Sequence, residues 1–390
     1  MKMKNVYFLY IFNFLKNVQF FGAVAVPFFL YRAQLDYVRM FTLEAVFSVS
    51  MMLMEIPTGI VADRWGRRTS LMLGSVTLGA GFFCIALTQS FALLALAEVV
   101  AAAGLTLITG ADRALLYECV RDAGKEEQSE KIFARYDAAG TTALLISFPL
   151  GTLFVGSGLV PYTTALAMVF AVTGIGIATA ALAVLPVTER ARVHHGESFL
   201  RDGIDGFLFI FRHAKLRGFS INYAVISSLT FFMFWMYQSL LIENNVMVSW
   251  YGFIASGFNA AAMLLLALTG PIKKRFGVRW TLFLTSFIPG LLYIGAGVFP
   301  GILTAFVAIF GVTSLRLFRS PFLNALMNRQ IADTSRATVL SGISMLERVL
   351  TAMLYPVVGI LTDRSLNLTL VFLGVLTVSG SFFLRIRDHD

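Results

Sequence analysis

The chain has 390 residues, 57% of them apolar, 14% charged and 14% aromatic, and a mean hydropathy of +0.77. A soluble domain is roughly 45–50% apolar and about 25% charged, so this chain cannot clothe itself in polar groups, which argues against a disordered chain, a coiled coil and a cytosolic enzyme. Its formal charge of +9 would point to nucleic acid in a soluble domain, but in a chain this apolar it fits basic loops on one side of a membrane.

Apolar runs long enough to span a bilayer, about 20 residues each, fall at about 6–30, 41–61, 70–88, 91–117, 132–155 and 161–185. After a polar stretch they resume at about 217–241, 249–269, 281–299, 301–326, 336–360 and 369–385. Lys2 and Lys4 before the first run imitate a secretory leader. The run continues to about Leu30 without a small-residue cleavage site, so it reads as a retained span. With both termini inside, 22 basic residues fall in cytoplasmic segments against three outside (Arg32, Arg39, Arg364). This bias predicts an integral protein of the cytoplasmic membrane. The expected domains are a six-helix bundle over 1–185, a cytoplasmic linker over 186–216 and a second six-helix bundle over 217–390. In the linker, Leu200, Ile204, Phe207, Leu208 and Phe211 recur at helical spacing, as in an amphipathic helix on the inner membrane surface. Gly203 and Gly206 weaken such a helix and keep a flexible basic linker open as the alternative.

The two halves echo each other. Gly59-Ile-Val-Ala-Asp63-Arg64-Trp65-Gly66-Arg67-Arg68 follows span two, and Gly270-Pro-Ile-Lys273-Lys274-Arg275-Phe-Gly277-Val-Arg279 follows span eight, 211 positions later. Arg113 and Arg319 lie 206 apart, and Pro149 and Pro356 lie 207 apart. A near-constant offset at three landmarks predicts a duplicated six-helix unit. The first of these segments resembles the loop 2–3 signature of the major facilitator superfamily, G-x-L-A-D-R-x-G-R-[KR]. That resemblance implies an all-α membrane protein of twelve transmembrane helices, in two pseudo-symmetric six-helix bundles around a central cavity, working by alternating access.

The loop also has a physical reading of its own. Gly59 and Gly66 permit a tight connection, and Asp63 is an anion among Arg64, Arg67 and Arg68. It can accept hydrogen bonds from a helix terminus or from arginines of a neighbouring span. Such a cluster can latch one conformation, although the arginines can equally serve only to fix topology. The second copy has Lys274 where Asp63 aligns, so the expected latch is asymmetric.

A charge within the bilayer costs about 2.5–3.5 kcal/mol or more, which singles out the charged groups inside spans. Span one carries Asn13, Lys16 and Gln19 on one stripe, with Asn17 beside them; by the resemblance, span one lines the cavity. Lys16 binding a solute and Lys16 merely pairing with a carboxylate both remain open. Span four carries Glu98, Thr106, Thr109, Asp112 and Arg113. Arg113 resembles the span-four arginine of drug exporters in the superfamily but lies nearer the cytoplasmic end, without an R-x-x-Q-G sequence, so Asp112 and Arg113 read as part of a gate or latch, with proton relay as the alternative. Asp137, beside Arg135, opens span five. Phe148-Pro149-Leu150-Gly151 keeps only the proline and one glycine of the antiporter motif of that span. Glu44 and Glu55 read as ordinary interfacial charges. Span ten contributes Arg316.

In span eleven Ser341, Ser344, Arg348, Thr351 and Tyr355 form one stripe, and Glu347 points about 100° away from Arg348. Burial favours the protonated carboxyl, so Glu347 is a candidate proton carrier or else a permanently paired acid, with Asp137 and Glu98 next in line. Asn13, Lys16, Gln19, Arg316, Ser344, Arg348 and Tyr355 are the candidate solute-binding residues. Cys84 and Cys119 have no motif spacing, and no metal site or P-loop is present. No cofactor, enzymatic activity or nucleic-acid partner is therefore expected. The reading is a monomeric secondary transporter that moves a small organic solute, coupled to protons or another ion, in the direction of export. Uptake by symport or uniport is the alternative, and a membrane sensor or lipid-translocating protein is the alternative of another class.

Overall fold

The computed structural model describes residues 2–189, 214–328 and 336–384. The helix expected at 200–211 lies outside the described residues. Two compact units emerge, Met1–Glu197 with Val248–Phe253, and Ser198–Met247 with Ile254–Asp390.

The first unit holds α1 (Lys2–Lys16), a short α2 (Ala25–Pro27) continued by one π-helical turn at Phe28–Arg32, α3 (Tyr37–Trp65), α4 (Arg67–Leu87), α5 (Phe91–Ile108), α6 (Ala111–Asp122), α7 (Ser129–Gly156) and α8 (Tyr162–Val184). Two expected spans are thus broken. Span one loses its helix between Lys16 and Ala25, and span four pauses at Thr109 and Gly110, where Gly110 takes φ 84°. Irregular backbone at membrane depth persists only where protein or water satisfies it, and here side chains do so. The amide of Gln19 donates to Ser147 Oγ (3.1 Å) and that of Phe20 to Thr173 Oγ1 (3.0 Å). Gly151 on α7 lets the broken segment approach, since a Cβ there would lie 2.0 Å from the Phe20 carbonyl oxygen. The segment Val248–Phe253 packs in the same unit, with Thr152 Oγ1 donating to the Ser249 carbonyl at 3.2 Å.

The second unit holds α9 (Ala214–Phe231), α10 (Met233–Glu243), α11 (Tyr251–Ala267), α12 (Thr269–Val298), α13 (Ile302–Asn328), α14 (Arg336–Arg364) and α15 (Leu366–Phe383). Within α12 the chain turns at Gly277, with φ 71° and ψ 171°. Gly66, 211 positions earlier, adopts φ 90° and ψ 153°. The degenerate second loop therefore keeps the backbone turn of the first and its basic character while Lys274 replaces the acid, because the conformation needs only the glycine.

Packing repeats as well. In the first unit span one packs on five and six, and span three on four and six; in the second, span seven packs on eleven and twelve, and span nine on ten and twelve. Gly79 and Gly174 meet so closely that a Cβ on either would fall 2.4–2.5 Å from the other's carbonyl oxygen. Gly290 and Gly374 repeat this between spans nine and twelve at 3.0 and 2.7 Å. Lipid tails provide no hydrophobic drive for helix association, so such small-residue contacts let backbones pack directly.

Among the described residues eleven helical segments are long and apolar enough to cross a membrane, and the divided span one makes the twelfth. Large apolar side chains such as Leu53, Leu96, Leu182, Leu303 and Met353 face outward, where acyl chains rather than water can cover them. The molecule is an all-α integral membrane protein.

Candidate functional site

In the first unit the two helix breaks converge on one ion pair. Lys16 ends α1 and Asp112 lies in the first turn of α6, so each charge complements the partial charge of its own helix end. Lys16 Nζ lies 2.5 Å from Asp112 Oδ2, with side-chain exposures of 17% and 9%. The Tyr136 hydroxyl on α7 donates to the same carboxylate oxygen at 2.8 Å. The ammonium also lies over the rings of Phe12 and Tyr136, at 5.5 and 5.7 Å. Asn13 Nδ2 donates to the Tyr136 carbonyl (2.5 Å), and Asn17 Nδ2 donates to the Asn13 carbonyl (2.7 Å). Gly140 leaves room for both amides, which lie 2.9 Å from where its Cβ would be. The stripe of Asn13 and Lys16 is thus engaged by α6 and α7. Gln19 contributes its backbone amide to the break, and its side chain is half-buried.

Other charged groups of the unit find partners of their own. Arg113 Nη2 reaches Asp137 Oδ1 at 2.7 Å, with side-chain exposures of 57% and 50%. Glu98 is buried and faces Glu44 of α3. Glu44, read from sequence as an interfacial charge, is half-buried beside a second carboxylate.

The loop between α3 and α4 is held by residues outside its signature. Glu189 accepts hydrogen bonds from the amides of Arg67 (2.9 Å) and Arg68 (2.8 Å), capping α4. A Cβ on Gly66 would fall 2.8 Å from Glu189 Oε2, whereas one on Gly59 would meet nothing within 4 Å. Arg67 Nη1 pairs with Glu118 Oε1 at 3.1 Å, and Arg68 Nη2 donates to the Leu185 carbonyl at 2.5 Å. Asp63 and Arg64 are exposed, and among the described residues neither makes a hydrogen bond or ion pair. Glu189 had no signal in the sequence beyond a lone acid after span six, and Tyr136 had none beyond its position one residue before Asp137.

In the second unit Arg316 on α13 is half-buried, with its guanidinium over the Phe231 ring at 5.1 Å. Glu347, Tyr223, Tyr293 and Tyr355 lie within its electrostatic reach. Tyr223 shares a hydrogen bond with Ser320 Oγ at 3.2 Å. Tyr355 is buried with its ring edge-on to Phe232, the centroids 5.4 Å apart. Glu347 and Arg348 are half-buried and Ser344 is exposed. Thr351, one turn past Glu347, donates to Ser228 Oγ at 3.0 Å, and Ser228 donates to the Glu347 carbonyl at 3.0 Å. One turn from Arg316, Arg319 is buried and donates to the Leu282 carbonyl (2.8 Å), Thr285 Oγ1 (3.2 Å) and Asn222 Oδ1. No cluster of metal-ligating side chains occurs among the described residues.

The fold is shared with solved transporters at low sequence identity. The nucleoside transporter NupG superposes with a TM-score of 0.77 at 16% identity, covering 97% of this chain and 98% of its own. A POT family transporter in complex with a thioalcohol-conjugated peptide gives 0.76 at 13% identity, covering 97% and 94%. A bacterial homologue of the human lysosomal transporter Spinster, inward-facing and occupied, gives 0.75 at 16%, covering 98% and 95%. No curated protein matches the chain significantly in sequence. Residues 7–348 match the Major Facilitator Superfamily as a family. With the loop signature, the duplicated unit and this fold in agreement, the chain belongs to the Major Facilitator Superfamily.

Proposed function

We propose that the protein is a secondary active transporter that carries a small organic solute across the cytoplasmic membrane by alternating access, coupled to proton movement in the direction of export. In this reading it works as a monomer with both termini inside, and bundles 1–185 and 217–390 move about the linker 186–216. The observation that carries it is the concentration of charge at mid-span, costly in a bilayer. Lys16 and Asp112 join two half-helix ends, and Arg316 and Glu347 lie within reach of each other among aromatic rings. Half-helix ends facing each other are how transporters build sites for solutes and ions. The family membership and the solved nucleoside and peptide transporters of the same fold support a solute of that general size.

In this scheme Glu347 carries the coupling proton, with Asp137 and Glu98 as the remaining acids. Arg316, Arg348, Tyr355 and Ser344 contact the solute. The Gly66–Arg68 turn, with Asp63, Arg64, Asp112 and Arg113, latches one conformation. The test is a pH-sensitive dye in inside-out vesicles challenged with a panel of solutes, comparing wild type with Glu347→Gln. A solute-triggered collapse of ΔpH that disappears in the variant supports proton-coupled export through Glu347. A collapse that survives in Glu347→Gln removes Glu347 from coupling. Accumulation of a labelled solute in right-side-out vesicles, with no ΔpH response in inverted ones, replaces export by uptake.

A further inference from the structure

The second unit carries two guanidinium groups on one helix face, and the carboxylate of Glu347 acts on only one of them, Arg316. Arg316 and Arg319 are one turn apart on the same face of α13, and a guanidinium keeps its proton in any protein environment. Among the described residues no carboxylate lies within ion-pair distance of either one. Arg319 is buried to 2% exposure, and its hydrogen-bond partners among the described residues are a carbonyl, a hydroxyl and an amide, all neutral. They orient the guanidinium without compensating its charge. Arg316 has an aromatic face beneath it and Glu347 within electrostatic reach. Glu347 is shared with Arg348 as well, and Arg319 has no carboxylate acting on it.

The same face also holds donors without acceptors. Nε of Arg316, Nε of Arg319 and the hydroxyl of Thr313, one turn before Arg316, are buried and unpartnered. A buried donor left unsatisfied has lost its hydrogen bonds to water with nothing in return, and the penalty is larger when the group is charged. An excess positive charge beside idle donors is matched by a ligand that is anionic and accepts hydrogen bonds. The surrounding rings of Phe231, Phe232, Tyr223, Tyr293 and Tyr355 favour an apolar body attached to that anion.

We propose that the α13 face of Thr313, Arg316 and Arg319 binds the anionic head of an organic acid with an apolar body, Arg316 making the contact and Arg319 supplying a fixed background charge. This assigns a substrate class to the transporter proposed above and rests on that reading for its transport role. The anion binding itself does not depend on it.

The test uses the full chain in nanodiscs of phosphatidylcholine alone, so that no anionic lipid can fill the site. Thermal unfolding is followed with benzoate, benzamide and benzylamine, and with hexanoate and hexanamide. The two carboxylates are expected to stabilise the protein and the amides and the amine are not. Arg316→Gln should weaken carboxylate binding by about tenfold or more, the loss of a charge-assisted hydrogen bond, and Arg316→Lys should restore part of it. Binding of the amides or amine as tight as that of the acids overturns the proposal. So does the absence of carboxylate binding, or carboxylate binding unchanged in Arg316→Gln. Stabilisation by added phosphatidylglycerol but by neither carboxylate overturns it in favour of a lipid headgroup. Counterflow in proteoliposomes separates the two readings. Exchange of benzylamine but not benzoate keeps the transporter and removes the anion site, whereas benzoate binding through Arg316 without any exchange keeps the anion site and removes transport.

Discussion

Asp112→Asn isolates the charge of the Lys16–Asp112 pair, because asparagine keeps the shape of the side chain and one acceptor oxygen. In the wild type Lys16 Nζ lies 2.5 Å from Asp112 Oδ2, with exposures of 17% and 9%. Removing one partner of a buried pair costs about 3–5 kcal/mol, because the other charge is left uncompensated. Partial exposure of Lys16 and the surviving acceptor place the expected loss near the bottom of that range, about 3 kcal/mol. The reciprocal Lys16→Met should cost less. Asp112 would still accept from the Tyr136 hydroxyl at 2.8 Å and would remain at a helix N-terminus, a position that stabilises an anion by about 0.3–1 kcal/mol. The stranded lysine would keep only ring contacts and a 3.5 Å approach to the Tyr136 hydroxyl. The double variant should therefore be more stable than Asp112→Asn alone. Unfolding free energies from sodium dodecyl sulfate titration of all four proteins complete the cycle. If the two single losses add to within about 0.5 kcal/mol, as independent sites do, the pair is not coupled and the reasoning fails.

Other substitutions test the loop and the helix contacts. Glu189→Ala should cost about 1–2 kcal/mol as a lost helix cap, and amide exchange at Arg67 and Arg68 should accelerate; unchanged protection there would refute the cap. Gly66→Ala and Gly277→Ala both force a side chain into positive φ, a strain of about 1–3 kcal/mol. Gly66→Ala should be the worse of the two, since its Cβ also meets Glu189 at 2.8 Å and the Cβ on Gly277 meets nothing within 4 Å; equal losses of melting temperature would contradict the difference. Gly174→Ala sets a methyl 2.5 Å from the Gly79 carbonyl oxygen and should destabilise by about 1–3 kcal/mol, the usual cost of overpacking. A melting temperature equal to that of wild type would show that the two backbones separate freely.

Much of the architecture is legible in the sequence because it depends on periodicity and composition. Span-length apolar runs, the basic bias of alternate loops and the 211-residue echo of Gly66 at Gly277 each state a local requirement that one residue type meets. Acyl chains accept almost any apolar side chain, so the spans need no finer specification to be recognised. The breaks are less legible. The stretch 17–24 is apolar enough to read as helix, and where it departs from one Ser147 and Thr173, more than 120 residues away, take up the amides of Gln19 and Phe20.

The partners of the charged groups were decided by tertiary structure alone. Lys16, Asp112, Arg113, Asp137, Arg316 and Glu347 stand out in the sequence because charge within a span is costly. That cost says a charge needs a partner without saying which one. Asp112 and Arg113 are neighbours in sequence, and the fold pairs their side chains with different partners, Lys16 with Asp112 and Arg113 with Asp137. Glu189 and Tyr136, a cap and a hydrogen-bond donor, carry no pattern of their own. A hydrogen bond is fixed by distances of about 3 Å between atoms, and only the packing of α6 on α7 and of α4 on α8 brings those atoms together.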